Sequence, residues 1–234
     1  MLLLVGLPGL SGCGGQEMPR GYAVHGIDVS HHNGPIDWDA VAQQGVSFAF
    51  IKITEGHTHN DSRSAFNFRA AKKAGILRGC YHFFRPEVGA LPQAKHFLET
   101  YTSIQPELPP VLDIEVTHPE VDAPLLRRRV RRWLRYVKKQ TGRTPIVYSN
   151  PRFIEEHLEG SVANYPLWLA HYTDGKPEPP EGYPLMFFWQ YTKAGQLKGI
   201  DHPVDRNIFI GSAEDLRRLF VEDQWEKSPK KPLR

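Results

Sequence analysis

Val111-Leu112-Asp113-Ile114-Glu115-Val116 sets two carboxylates two positions apart inside an otherwise apolar run. Such alternation predicts a β-strand, whose successive side chains point to opposite faces, so Asp113 and Glu115 share one face and Leu112, Ile114 and Val116 the other. A strand rise of about 3.3 Å per residue separates the two Cβ atoms by roughly 6 to 7 Å. Like charges that close, on a strand flanked by Pro109-Pro110, raise at least one pKa, since neither burial nor a neighbouring anion favours ionisation. One carboxyl held as an acid beside another held as a base is the chemistry of glycosidic bond cleavage. A strand end where both acids meet solvent or pair with arginines accounts for the same hexapeptide, because structural ion pairs also perturb pKa values.

The elements that must position these acids alternate in type. Strand patterns fall at about Val24 to Val29, Ser47 to Ile53, Leu77 to Phe84, Val111 to Val116, Pro145 to Ser149, Leu167 to His171, Met186 to Tyr191 and Asn207 to Ile210. Helical patterns lie between many of them, at Trp38 to Gln44, Ser62 to Ala74, Ala90 to Thr102, Pro124 to Gln140 and Pro151 to Leu158, with a last one at Ala213 to Val221. Strands alternating with helices imply a parallel sheet, and eight of them in one domain imply a closed barrel of α/β class. The later connections are too short for a helix at every crossover, so the barrel is expected to be irregular, with fewer helices than strands. Sites of such barrels form at the C-terminal strand ends, where Asp28, His82, Asp113, Glu115, Tyr148, His171, Gln190 and Tyr191 fall.

The remaining features bound the answer. At 234 residues and 40% hydrophobic, the chain can bury one full core as a single domain. A net charge of +3, from 29 basic and 26 acidic residues, is too balanced for nucleic-acid binding and compatible with an acidic polymer as substrate. Met1 to Leu10 is apolar but too short to span a membrane, and Leu10-Ser11-Gly12-Cys13 resembles a lipoprotein lipobox, without the usual basic start. Residues 1–12 are thus expected to be a signal segment, Cys13 a lipid anchor, 13–22 a linker, 23–222 the barrel and 223–234 a basic tail. A disordered leader with an incidental cysteine is the alternative. Cys80, in an apolar run, is expected to be a buried small hydrophobe rather than a disulfide partner. His31-His32 and His57-Thr58-His59 lack the helical spacing of a zinc site, so no metal or cofactor is expected. Between Leu126 and Lys139, apolar residues at helical spacing predict an amphipathic helix whose many cations face outward. That face is either simply solvated or an electrostatic footing on anionic lipid or wall polymer.

Several segments, in order, follow the pattern of glycoside hydrolase family 25: Gly26-Ile27-Asp28-Val29-Ser30, Lys52-Ile53-Thr54-Glu55-Gly56, Gly79-Cys80-Tyr81-His82-Phe83, Leu112-Asp113-Ile114-Glu115, Leu167-Trp168-Leu169-Ala170-His171-Tyr172, Trp189-Gln190-Tyr191 and Val204-Asp205-Arg206-Asn207. The resemblance spans roughly Val24 to Phe220. It implies a modified TIM-like β/α barrel that cleaves the β-1,4 bond between N-acetylmuramic acid and N-acetylglucosamine in peptidoglycan. Carried over residue by residue, it makes Glu115 the general acid and Asp113 the residue that orients the substrate's own acetamido group. Asp28 and Asp205 complete the acidic cluster, and Tyr81, His82, Tyr148, Gln190 and Tyr191 become substrate contacts. Trp189 is left to packing. The implied location is the cell envelope, anchored through Cys13 or secreted, as a monomer acting on glycan strands. A glycan-binding relative without activity, or a hydrolase of chitin-like polymers, are the other readings.

Overall fold

A computed structural model describes residues 18–221. Cys13, its lipobox and the tail 223–234 lie outside the described residues. The strands are β1 (Val24–Val29), β2 (Val46–Glu55), β3 (His59–Asn60), β4 (Leu77–Phe83), β5 (Pro110–Asp113), β6 (Ile146–Ser149), β7 (Leu167–Ala170), β8 (Met186–Leu197) and β9 (Ile200–Phe209). Their order is β1-β9-β8-β7-β6-β5-β4-β2-β3, and β1 also pairs with β2, so eight strands close into a barrel with the short β3 outside. Between them lie α1 (Trp38–Ala42), α2 (Ser64–Lys73), α3 (Ala90–Ile104), α4 (Ala123–Thr141) and α5 (Pro151–Phe153), the last continued by a π turn at Ile154–Leu158; α6 (Ala213–Leu216) follows the barrel.

Two expectations are corrected. The sheet is mixed rather than parallel, because β9 runs antiparallel to both β8 and β1. Only Lys198 and Gly199 separate β8 from β9, and a link that short makes a hairpin, whereas a parallel return needs a dozen residues or more. The hairpin extends well beyond Tyr191, and its tip is tied to α1 by the Asp37 amide donating to the Gly199 carbonyl at 2.9 Å. Gly199 has φ +92, and a Cβ there would stand 2.7 Å from the Asp37 carbonyl oxygen. Second, β5 stops at Asp113, so Glu115 leaves from the segment after the strand.

Alternation sorts each strand into an inward and an outward set. Inward-facing Val24, Phe48, Phe50, Val111, Ile146, Trp168, Phe188 and Phe209 fill the lower barrel, whereas Ile27, Ile51, Cys80, Leu112, Val147 and Leu169 belong to the layer beneath the helices. Room for the aromatic plug comes from two glycines: a Cβ on Gly26 would meet the Phe48 ring at 2.4 Å, and one on Gly79 the Phe50 ring at 2.3 Å. The longest helix, α4, begins where Asp122 accepts from the Leu125 amide at 2.8 Å and ends at Gly142, with φ +71. It buries Leu126, Val130, Trp133, Leu134 and Val137 against the barrel, as its periodicity predicts.

Candidate active site

Above the aromatic plug the inward positions turn polar. A cleft of about 500 Å³ opens at the C-terminal strand ends, lined by Asp28 from β1, Lys52 from β2, Tyr81 from β4, Asp113 from β5, Glu115 just beyond it, and Asp205 from β9. Tyr148 and Trp168 also line it, while His32, Lys193 and His202 stand at its rim. All four acids expected from the sequence therefore meet in one recess.

Each acid has a distinct environment. Asp113 is buried, and its Oδ1 has no hydrogen-bond partner. Burial, then the Glu115 charge, push its pKa well above the carboxylate range, against the opposing pull of Lys52. Glu115 is exposed at the opening, yet the recess desolvates its inner side enough to raise its pKa, again against Lys52. Lys52 is itself held by Glu55, whose Oε2 accepts from Nζ at 2.6 Å, and Glu55 also pairs with Arg85. On the other side of the recess, Asp28 Oδ2 accepts from Asn207 Nδ2 at 2.7 Å and Gln190 Nε2 at 2.9 Å. Burial lifts Asp28 to about 6 despite those donors, and lifts Asp205, hydrogen-bonded to Asp28, to about 9. At neutral pH the two therefore keep a proton between them.

The expected substrate contacts divide. Tyr81 and Tyr148 line the cleft. Gln190 is 2% exposed and turned to other side chains: besides its bond to Asp28, its Oε1 accepts from the Tyr148 hydroxyl at 3.0 Å and the Tyr172 hydroxyl at 2.7 Å. It positions the site rather than meeting the cleft. Tyr191 does not line the cleft; it packs outside the barrel wall, with its ring 5.8 Å from that of Trp189. His82 is corrected as well. Its fully buried ring sits behind the wall, stacked 5.6 Å from Trp133, with Thr54 Oγ1 at 2.8 Å from Nδ1 and Gln93 Oε1 at 3.2 Å from Nε2. His171 serves through its main chain, its carbonyl accepting from Trp189 Nε1 at 2.7 Å.

Parity explains these misplacements. Tyr81 and His82, like Gln190 and Tyr191, are consecutive strand residues, and only one of each pair can face the interior. The same rule would have drawn attention to Lys52, in step with Phe48 and Phe50, and to Asn207, in step with Asp205. Asn207 also accepts from Trp168 Nε1 at 2.8 Å, which fixes the indole at the cleft floor. Among the described residues, no three His, Cys, Asp or Glu side chains are grouped to hold a metal ion.

A mixed eight-stranded barrel with four carboxyls gathered at its C-terminal mouth, Asp113 and Glu115 two residues apart among them, has the form of a carbohydrate-cleaving hydrolase. The chain belongs to glycosyl hydrolases family 25, whose model matches residues 27–200. It is 38% identical over 211 residues to lysozyme M1 of Streptomyces globisporus, covering 84% of this chain and 71% of that one. With the protein YegX of Escherichia coli K12 it shares 42% identity over 211 residues, 88% of this chain and 76% of the relative. The crystal structure of a lysozyme from Streptomyces coelicolor superposes with a TM-score of 0.79 at 34% identity, covering 86% of this chain and 98% of that one.

Proposed function

We propose that this glycoside hydrolase is a lysozyme, cleaving the β-1,4 bond between N-acetylmuramic acid and N-acetylglucosamine in peptidoglycan. The observation that carries the reading is the pairing of an exposed Glu115 with a buried Asp113 whose Oδ1 is unpartnered, inside a family 25 barrel. Glu115, its pKa raised, delivers a proton to the glycosidic oxygen as the bond from that oxygen to the anomeric carbon breaks. The free oxygen of Asp113 is placed to accept the N–H of the substrate's acetamido group. That donation favours the Asp113 anion and leaves the dyad's proton on Glu115. The acetamido carbonyl oxygen then bonds to the anomeric carbon, and water, deprotonated by the Glu115 carboxylate, opens the resulting ring. Asp28, ionised and held by Asn207 and Gln190, supplies the fixed negative charge that favours the oxocarbenium-like transition state. Asp205, protonated, contributes a donor rather than a second charge.

Tyr81 and Tyr148 offer apolar ring faces to the sugars. Such a substrate calls for a location outside the cytoplasm, secreted or held by Cys13, for which the Leu10-Ser11-Gly12-Cys13 pattern is the support. The test is release of reducing ends from purified peptidoglycan by residues 20–234, with Glu115→Gln as control. Products ending in reducing N-acetylmuramic acid from the wild type alone support the assignment. Sedimentation of both proteins with sacculi without cleavage would overturn it. Proton NMR of the first-formed anomer checks the acetamido step, which requires retention.

A further inference from the structure

Helix α4 carries eight of the chain's 29 cationic residues and no acidic one. Against a net charge of +3, the remainder of the chain is therefore anionic by five charges, and this one helix is the positive pole of the molecule. The cations are not evenly spread. Arg128, Arg132, Arg135 and Lys139 are exposed and recur at steps of four, three and four, which stacks them in one stripe about 16 Å long. Arg127 is already engaged, by Glu159 at 3.0 Å, and Arg129 by the Pro86 carbonyl. At one end of the stripe Arg128 shares a surface hollow with Glu120 and Asp122, so its outer three members are the least compensated.

We propose that this stripe is a docking surface for an anionic phospholipid bilayer, independent of the catalytic reading and of any acyl chain. Three features select a planar anionic surface. The stripe is convex, on a helix lying along the outside of the barrel, so it encloses no small anion. Its apolar side chains, Trp133 and Leu134 among them, are committed to the barrel and cannot insert, which makes the contact one of charge with headgroups. Finally, α4 links parallel strands β5 and β6 and so runs antiparallel to them along the barrel wall. Seated on a plane, the stripe lays the barrel on its side and leaves the acidic mouth opening laterally, away from the repelling surface.

The experiment is co-sedimentation of the full chain, carrying Cys13→Ser so that no acyl anchor forms, with vesicles of phosphatidylcholine alone or with 30% phosphatidylglycerol. The expected result is binding to the anionic vesicles only, weakened on the order of a hundredfold by Arg132→Gln/Arg135→Gln/Lys139→Gln, each cation near a charged leaflet contributing about fivefold. The control Arg69→Gln/Lys72→Gln/Lys73→Gln removes the same charge from exposed positions of α2 and should bind like the parent. Raising salt should release the parent protein. Thermal melting and hydrolysis of soluble peptidoglycan fragments confirm that both triple variants are folded. Equal loss in the α2 control would reduce the effect to net charge and overturn the proposal. Unchanged binding by the α4 variant, or binding to a polyphosphate chain but not to vesicles, would overturn it equally.

Discussion

Asp28 and Asp205 face each other across the antiparallel β1–β9 pair, and their carboxyls share a hydrogen bond inside the barrel mouth. Burial and the Asp28 charge lift Asp205 from the ordinary 3.8 to about 9. A carboxyl whose folded pKa is raised leaves stability intact below its unfolded value and erodes it as pH rises towards the folded one. Asp205→Asn keeps a donor to Asp28 and removes the titration. Its melting temperature should match the wild type near pH 4 and exceed it increasingly up to about pH 9, while activity falls. A melting difference independent of pH would contradict the shared proton.

Lys52 is expected to set the alkaline limit of activity. Its charge lowers the pKa of both Glu115 and Asp113. With Glu115 in its proposed role of general acid, Lys52→Met should shift the basic limb of the kcat/KM profile to higher pH, and a fixed or lowered limb would remove Lys52 from this role.

Glu115→Gln should reduce turnover by about a hundredfold to ten-thousandfold, the usual contribution of a general acid, with little change in melting temperature because the side chain is exposed. Reducing-end assays and calorimetry on the same preparation separate the two effects.

Gln190 joins three side chains, those of Asp28, Tyr148 and Tyr172, so Gln190→Leu leaves Asp28 short of a donor and the Tyr148 hydroxyl without an acceptor. A loss of about 1–3 kcal/mol in unfolding free energy is expected, together with impaired turnover. Chemical denaturation tests the first; an unchanged midpoint would show that water replaces the amide.

His82 should prove structural. Burial drives its pKa from 6.5 down to about 3, so the stability it confers is present above pH 6.5 and lost as pH falls towards 3. His82→Phe, with Gln93 Oε1 still accepting from the Arg85 amide at 2.9 Å, should gain on the wild type by about 1.4 kcal/mol per pH unit across that window. KM at neutral pH should not change; a raised KM would return the imidazole to the substrate.

Much of the fold was legible because period-2 and period-3.6 patterns report directly which side of an element is buried. The eight barrel strands and the buried face of α4 follow from them. The hairpin beyond Tyr191 did not show, since Thr192 to Arg206 is largely polar and lacks the apolar alternation that marks a half-buried strand. The mixed sheet is hidden with it, because strand direction depends on the length of the connection, and the two-residue link between β8 and β9 lies inside that polar stretch.

The sequence by itself determined that Asp28, Asp113 and Glu115 would crowd one end of a barrel, since each falls at or next to the C-terminal end of a strand pattern, whereas Asp205 joined them only through the family resemblance. Only the tertiary structure decided what each carboxyl is. Asp113 keeps a free oxygen, Asp28 is bound by Asn207 and Gln190 from distant strands, and Asp205 holds a proton. Those differences arise from desolvation and from partners as much as 179 positions away along the chain, and both exist only once the barrel closes.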